Sequence, residues 1–164
     1  PVQVKNMVNS AIFAAVIAIC AWICVPIGTT RFTLQTFAIA LCLLLLGGKW
    51  GTVSIVVYLG LGLAGIPVFS GFQGGFGVLF SATGGYLPGF LCWALLFWVL
   101  TYLKASVTLS LFIGFVFCYG TAMVWTGVLY STDNLWLLIV PYILPDILKI
   151  TGATFLSRRL KKHI

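Results

Sequence analysis

Long apolar segments, separated by short stretches with glycine, proline or a charge, make up most of this sequence. Six candidate membrane spans lie at about residues 7–25, 33–47, 50–64, 86–103, 107–130 and 135–156. A helix that crosses the hydrocarbon core of a bilayer needs about 20 apolar residues. Only 7% of the residues are charged, whereas soluble domains carry about 25%. The sequence therefore predicts an all-α integral membrane protein, a single domain of six transmembrane helices over residues 1–164 in a lipid bilayer.

The basic residues are distributed unevenly over the predicted loops. With six spans, one side of the membrane receives only Arg31 as a cation, together with Asp133. The other side receives Lys5, Lys49, Lys104, Arg158, Arg159, Lys161 and Lys162. Cytoplasmic loops carry an excess of lysine and arginine, so we expect both termini in the cytoplasm. The basic residues responsible for the net charge of +7 follow this distribution and do not form a continuous phosphate-binding surface. No nucleic-acid partner is therefore expected.

The connection between the third and fourth spans, residues 65–85, is long, uncharged and rich in glycine and phenylalanine. A solvated loop would be polar. Irregular apolar backbone at membrane depth has to be buried in protein or to line a cavity. We therefore expect this lid segment (residues 65–85) to fold over the outer ends of the spans, instead of forming a disordered linker. Its phenylalanines are Phe69, Phe72, Phe76 and Phe80.

The residue sets on which enzymes and metal sites depend are missing from the sequence. An intramembrane aspartyl protease needs two carboxylates at depth, and only Asp146 lies in a span; the one histidine, His163, lies in the tail. Residues 60–65 match G-x-G-x-x-G, but they close a membrane span and lack the strand–helix context of a dinucleotide site. The five cysteines have no histidine or second cysteine pair nearby that would complete a metal site. The sequence predicts no catalysis, metal or cofactor.

Asp146 and Lys149 lie inside the last apolar segment. A charge at the bilayer centre costs roughly 2.5–3.5 kcal/mol on insertion scales, which makes this pair a candidate functional site. At helical spacing the two side chains share one face with Tyr142, and Pro141 and Pro145 predict a kink beside them. A carboxylate only accepts hydrogen bonds and an ammonium only donates them. Together they suit a ligand with both N–H and C=O groups, such as a urea, an amide or a pyrimidine-like ring.

Three purely structural roles for this pair compete with ligand binding. The two residues could form a salt bridge, or Lys149 could extend along the helix toward the membrane surface. Asp146 could also be protonated and only hydrogen-bonded, because burial favours the neutral form of a carboxyl group.

The predicted outer loop between the first two spans contains a second candidate. Arg31 can pair with a ligand carboxylate through two parallel hydrogen bonds, or it can face solvent or a lipid phosphate. Gln35, one turn into the second span, is expected to point inward because lipid offers it no partner.

Two overlapping pairs of alanines lie on the first span, Ala11 with Ala15 and Ala14 with Ala18. Small residues four apart let membrane helices approach closely. These pairs predict either packing within this chain or docking against another membrane subunit.

Several of these motifs resemble the BioY family, the biotin-specific substrate-binding (S) components of energy-coupling factor (ECF) transporters. In chain order they are Arg31-Phe-Thr-Leu-Gln-Thr-Phe37, Gly65-Ile-Pro-Val-Phe69-Ser, Gly74-Gly75, Thr83-Gly84-Gly85-Tyr86 and Pro145-Asp146-Ile-Leu-Lys149. The resemblance covers nearly the whole chain. It implies six helices around an outward-opening pocket, covered by the first outer loop and the lid segment.

The resemblance also implies partners. These are a transmembrane coupling (T) component, which docks on an Ala-x-x-x-Ala surface of the first helix, and two cytoplasmic ATPases. The ATPases belong to other chains, since no phosphate-binding G-x-x-x-x-G-K-[ST] motif occurs here. Many members read Pro-Val-Pro where this chain has Thr-Thr-Arg, so a carboxylate role for Arg31 is a separate hypothesis.

The sequence therefore predicts a plasma-membrane protein that binds biotin at its outer face for ATP-driven uptake and has no catalytic activity. Asp146 and Lys149 are assigned to the ureido ring, as the resemblance implies. The further predicted contacts are Thr33, Gln35 and Arg31, with Phe69, Phe72, Tyr86 and Tyr142 around the thiophane ring and valeryl chain. Two alternatives are an S component for another heterocyclic vitamin and a structural membrane subunit.

Overall fold

Helices dominate the computed structural model, which describes residues 1–27, 30–130 and 135–161. Asp133, Lys162 and His163, which the sequence arguments used, lie outside these residues. The helices within the described residues are α1 (Val2–Trp22), α2 (Gln35–Leu63), α3 (Tyr86–Tyr102), α4 (Val107–Tyr130) and α5 (Leu135–Leu160). Strands β1 (Cys24–Ile27) and β2 (Thr30–Thr33) lie between α1 and α2, and a 3₁₀ helix (Phe76–Phe80) lies in the lid segment.

Helix α2 is broken at Gly47, which has φ 76° and ψ 178°, a conformation that only glycine adopts readily. The amide Nε2 of Gln35 donates to the hydroxyl of Tyr58 at 2.8 Å. In an unbroken helix these residues would lie about 35 Å apart. The two halves of α2 therefore run antiparallel, and the break falls between the predicted second and third spans.

Three helices in the described part of the chain are long and apolar enough to cross a membrane: Val2–Trp22, Gln35–Leu63 and Val107–Tyr130. Helix α3 is a shorter apolar helix of 17 residues. Helix α2 is one of these three, and its break at Gly47 divides it into two shorter halves. The number of membrane crossings therefore stays a prediction.

The all-α prediction is corrected in the connection between α1 and α2, where β1 and β2 pair as an antiparallel hairpin. Val25 lies opposite Phe32, and Pro26 lies opposite Arg31. The pairing satisfies backbone N–H and C=O groups that a bare loop would leave without partners. Helix α1 accordingly ends at Trp22 instead of continuing to residue 25. At the other end of the chain, α5 extends to Leu160 instead of ending at residue 156.

Helices α3 and α4 approach each other closely at Gly89. A Cβ atom on Gly89 would lie 2.8 Å from the carbonyl oxygen of Cys118 on α4. Near this contact, the rings of Tyr86 and Tyr119 meet edge to face, with their centroids 5.4 Å apart. The glycine thus brings the tyrosines of two helices to one place, at the wall of a cavity.

Candidate ligand-binding site

A cavity lies between the beginning of α2, the β-hairpin, the lid segment and helices α3, α4 and α5. Together with its open mouth, the cavity holds about 640 Å³ that protein atoms do not occupy. Its lining residues are Arg31, Phe32, Thr33, Gln35, Thr36, Phe69, Ser70, Val78, Thr83, Tyr86, Leu87, Phe90, Tyr119, Tyr142, Asp146 and Lys149.

Asp146 and Lys149 form an ion pair in the wall of this cavity. Lysine Nζ lies 2.6 Å from Asp146 Oδ1, and the side chains of Lys149 and Asp146 are only 10% and 8% exposed. Helix α5 remains helical through the two prolines that precede the pair, so the predicted kink does not interrupt the helix. A buried charge needs a partner and further hydrogen bonds to offset its lost hydration.

The carboxylate of Asp146 receives these hydrogen bonds from three helices. Lys149 of α5 and the hydroxyl of Thr36 on α2, at 2.9 Å, both donate to Oδ1. The hydroxyl of Tyr119 on α4 donates to Oδ2 at 2.5 Å. A carboxylate has about four acceptor positions, so a ligand N–H can still approach Oδ2.

The ammonium of Lys149 faces inward. It donates to the carbonyl oxygen of Thr33 at 2.5 Å and lies 3.6 Å from the ring centroid of Phe32, a cation–π contact. This orientation excludes an extension of Lys149 toward the membrane surface. A ligand carbonyl that took the place of the aromatic ring would accept a hydrogen bond from the same ammonium.

The lid segment forms one wall of the cavity through Phe69, Ser70, Val78 and Thr83. Phe69 is fully buried, and its ring lies against Gly62, where any larger side chain would overlap it. The apolar character of the segment thus reflects its place against the cavity.

The second half of the lid segment is fixed to α4. The indole N–H of Trp125 donates to the backbone carbonyl oxygen of Leu79 at 2.8 Å. The hydroxyl of Tyr130 donates to the backbone carbonyl oxygen of Phe80 at 2.6 Å. Phe76 and Phe80 nevertheless point outward and are exposed.

The structure brings eight of the nine residues that were predicted to bind the ligand to the cavity; Phe72 is the exception. Phe72 is 64% exposed, and its ring stacks on Trp22 outside the cavity. Among the eight, Gln35 points inward as predicted and bonds Tyr58. A guanidinium nitrogen of Arg31 donates to the carbonyl oxygen of Ser70 at 2.5 Å.

Sequence reasoning missed Tyr119, Thr36 and Phe32, which all contact the ion pair. Tyr119 carries a hydroxyl in the middle of an apolar span, where it needs a hydrogen-bond partner. That requirement was a usable signal. Thr36 directly follows Gln35 in the sequence, but Asp146, which accepts its hydrogen bond, is 110 positions away.

The two alanine pairs of α1 differ in their exposure to the surroundings of the chain. Ala14 and Ala18 are buried in the core of this chain, so the prediction that they dock a partner is corrected: they pack within the fold. Ala11 and Ala15 are exposed and remain the candidate docking pair.

Comparison with known proteins gives consistent matches over the whole length. The model of the BioY family matches residues 1–164. The chain is 34% identical to the biotin transporter BioY of Thermotoga maritima over 96% of both chains, and 33% identical to the probable biotin transporter BioY of Pyrococcus horikoshii over 97% of this chain and 98% of the relative. The crystal structure of the S-component for biotin from an ECF-type ABC transporter superposes with a TM-score of 0.84 at 29% identity, covering 98% of this chain and 92% of that one.

Proposed function

Because this chain belongs to the BioY family, we propose that it captures biotin at the outer face of the cell membrane, as the substrate-binding component of an ECF transporter. The curated relatives are named as transporters, so this chain is a transport protein and not an enzyme. Biotin is its substrate, and no cofactor is assigned.

The ion pair of Asp146 and Lys149 in the cavity wall carries this proposal. The ureido ring of biotin has two N–H groups and one C=O group. The carboxylate can accept from an N–H, and the ammonium can donate to the carbonyl oxygen. Both partners are charged, so these hydrogen bonds are stronger than neutral ones. The rings of Tyr86 and Tyr142 offer apolar surface for the thiophane ring and the valeryl chain.

The choice of biotin can be tested by thermal unfolding of the purified protein with a panel of heterocyclic vitamins. A ligand at 1,000 times its Kd stabilises the folded state by about 4 kcal/mol. We expect biotin alone to raise the Tm at micromolar concentration. Stabilisation by a different vitamin instead of biotin would show that the ligand is wrong, and the absence of any shift would favour a structural subunit.

Arg31 is proposed to bind the carboxylate of biotin. It lies in the cavity wall, and a guanidinium has five N–H donors in a geometry that matches a carboxylate. Wild-type protein is expected to bind biotin about tenfold more tightly than its uncharged primary amide, which corresponds to about 1.4 kcal/mol. Arg31→Met is expected to lose this preference. A preference that persists in the variant contradicts the assignment.

The proposal extends to topology and assembly. Six membrane crossings with cytoplasmic termini would place the basic residues of the predicted loops on the inner side, with the lid segment as an outer cover over the ligand. The exposed Ala11 and Ala15 of α1 would dock on the transmembrane coupling component, and two cytoplasmic ATPases on other chains would drive uptake. The small side chains support this docking because they allow close helix contact.

A further inference from the structure

Trp22, the last residue of α1, holds the lid segment from outside the cavity. Its indole N–H donates to the carbonyl oxygen of Pro67 at 2.9 Å. Its ring stacks on Phe72 with centroids 5.1 Å apart and an interplanar angle of 23°. Neither Trp22 nor Phe72 lines the cavity, so these contacts act on the lid segment and not on a ligand.

The turn that Trp22 holds is strained. Gly71 has φ 71° and Phe72 has φ 57°, so both are in the left-handed region. A phenylalanine there carries a steric penalty that glycine avoids. Such a conformation persists only where surrounding contacts enforce it. For Phe72 the stacking on Trp22 is such a contact.

The same turn continues into the cavity wall. Phe69 and Ser70 line the cavity, and the backbone N–H of Phe69 closes the turn by donating to the carbonyl oxygen of Gln73 at 2.9 Å. Arg31 holds Ser70 from the inner side. Movement of the turn away from Trp22 therefore also moves the wall.

From these contacts we infer that Trp22 is a positioning residue that sets how long a ligand stays in the cavity. It stabilises the strained turn, and the turn keeps the cavity wall in place over the ligand. Loss of the contact lowers the barrier to opening, so dissociation becomes faster while ligand contacts stay intact. The inference rests on the proposed function. The competing role is that of an ordinary tryptophan at the membrane surface, which predicts no effect on dissociation.

The test uses the full chain in nanodiscs, loaded with radiolabelled biotin and then diluted into excess unlabelled biotin. Trp22→Leu and Phe72→Leu are each expected to release biotin about tenfold faster than wild type, with association rates changed less than threefold. Trp22→Phe, which keeps a ring, is expected to show a smaller acceleration. Trp98→Leu is the matched control, because Trp98 is 38% exposed and Trp22 is 36% exposed; its release rate is expected to match wild type.

The double variant Trp22→Leu/Phe72→Leu distinguishes a direct contact from two separate effects. If the two rings act through their contact, the double variant releases biotin no faster than Trp22→Leu alone, which also removes the hydrogen bond to Pro67. Unchanged release in Trp22→Leu, or multiplied effects in the double variant, overturns the inference.

A second measurement does not need the ligand. Amide hydrogen exchange of residues 66–75 in the empty protein is expected to be faster in Trp22→Leu than in wild type or Trp98→Leu. If wild type binds no biotin, the proposed function fails, and exchange alone then decides the role of Trp22. Equal exchange in all three proteins overturns it.

Discussion

Asp146→Asn is expected to weaken biotin binding by about 10- to 100-fold, the largest effect of any single change in the cavity. The substitution keeps the size of the side chain but removes its charge and one acceptor oxygen. A hydrogen bond to a charged group contributes about 1.5–3 kcal/mol, and each 1.4 kcal/mol is tenfold in Kd, so loss of the ligand N–H bond to this carboxylate weakens binding by about one to two orders of magnitude. Equilibrium titration of biotin into the purified protein measures the change.

Two companion variants separate the role of the carboxylate from that of its neighbours. Lys149→Ala is expected to weaken binding and also to lower the Tm of the empty protein, because it leaves Asp146 buried without its cation. Tyr119→Phe removes one donor to the same carboxylate and is expected to weaken binding less than tenfold. If both Asp146→Asn and Lys149→Ala bind biotin like wild type, the ion pair is only a structural salt bridge.

Gly89→Ala in α3 is expected to destabilise the protein by about 1–3 kcal/mol, the usual cost of overpacking. The added methyl group would meet the Cys118 carbonyl oxygen at 2.8 Å and its sulfur at 2.9 Å. Backbone cannot move aside like a flexible side chain, so α3 and α4 have to separate. Thermal unfolding in detergent without ligand measures the loss.

Gly120→Ala on α4 is the matched control, since a Cβ atom there has no atom within 4 Å. Alanine is the better helix former by about 1 kcal/mol, so this variant is expected to unfold at the wild-type temperature or slightly above it. Equal destabilisation by the two substitutions would contradict the close approach at Gly89.

The sequence predicted the parts of this fold that depend on local pattern. Apolar length placed the helices, and the predicted boundary between the second span (residues 33–47) and the third span (residues 50–64) falls where α2 reverses. The cost of charge in an apolar segment identified Asp146 and Lys149, because that cost does not depend on which residues surround them.

The parts that depend on packing could not be read from the sequence. Tyr119 reaches Asp146 because α4 packs against α5, a contact between residues 27 positions apart. Phe72 points away from the cavity because of its left-handed backbone, which nothing in its residue type predicts. The buried and exposed alanines of α1 look alike in sequence, since lipid and protein core are equally apolar.

The break at Gly47 has a consequence for the order in which the protein is made. The two halves of α2 are joined by a tight turn, so they can pair soon after synthesis, and Thr36 is then in place. Tyr119 follows on α4. The ion pair is on α5 and emerges after all three of its hydroxyl and carbonyl partners, since chains are synthesised from the N-terminus. With α5 as the predicted sixth span, Asp146 and Lys149 would enter the bilayer when the groups that stabilise their charges are already there, and the costly insertion of charge would come late.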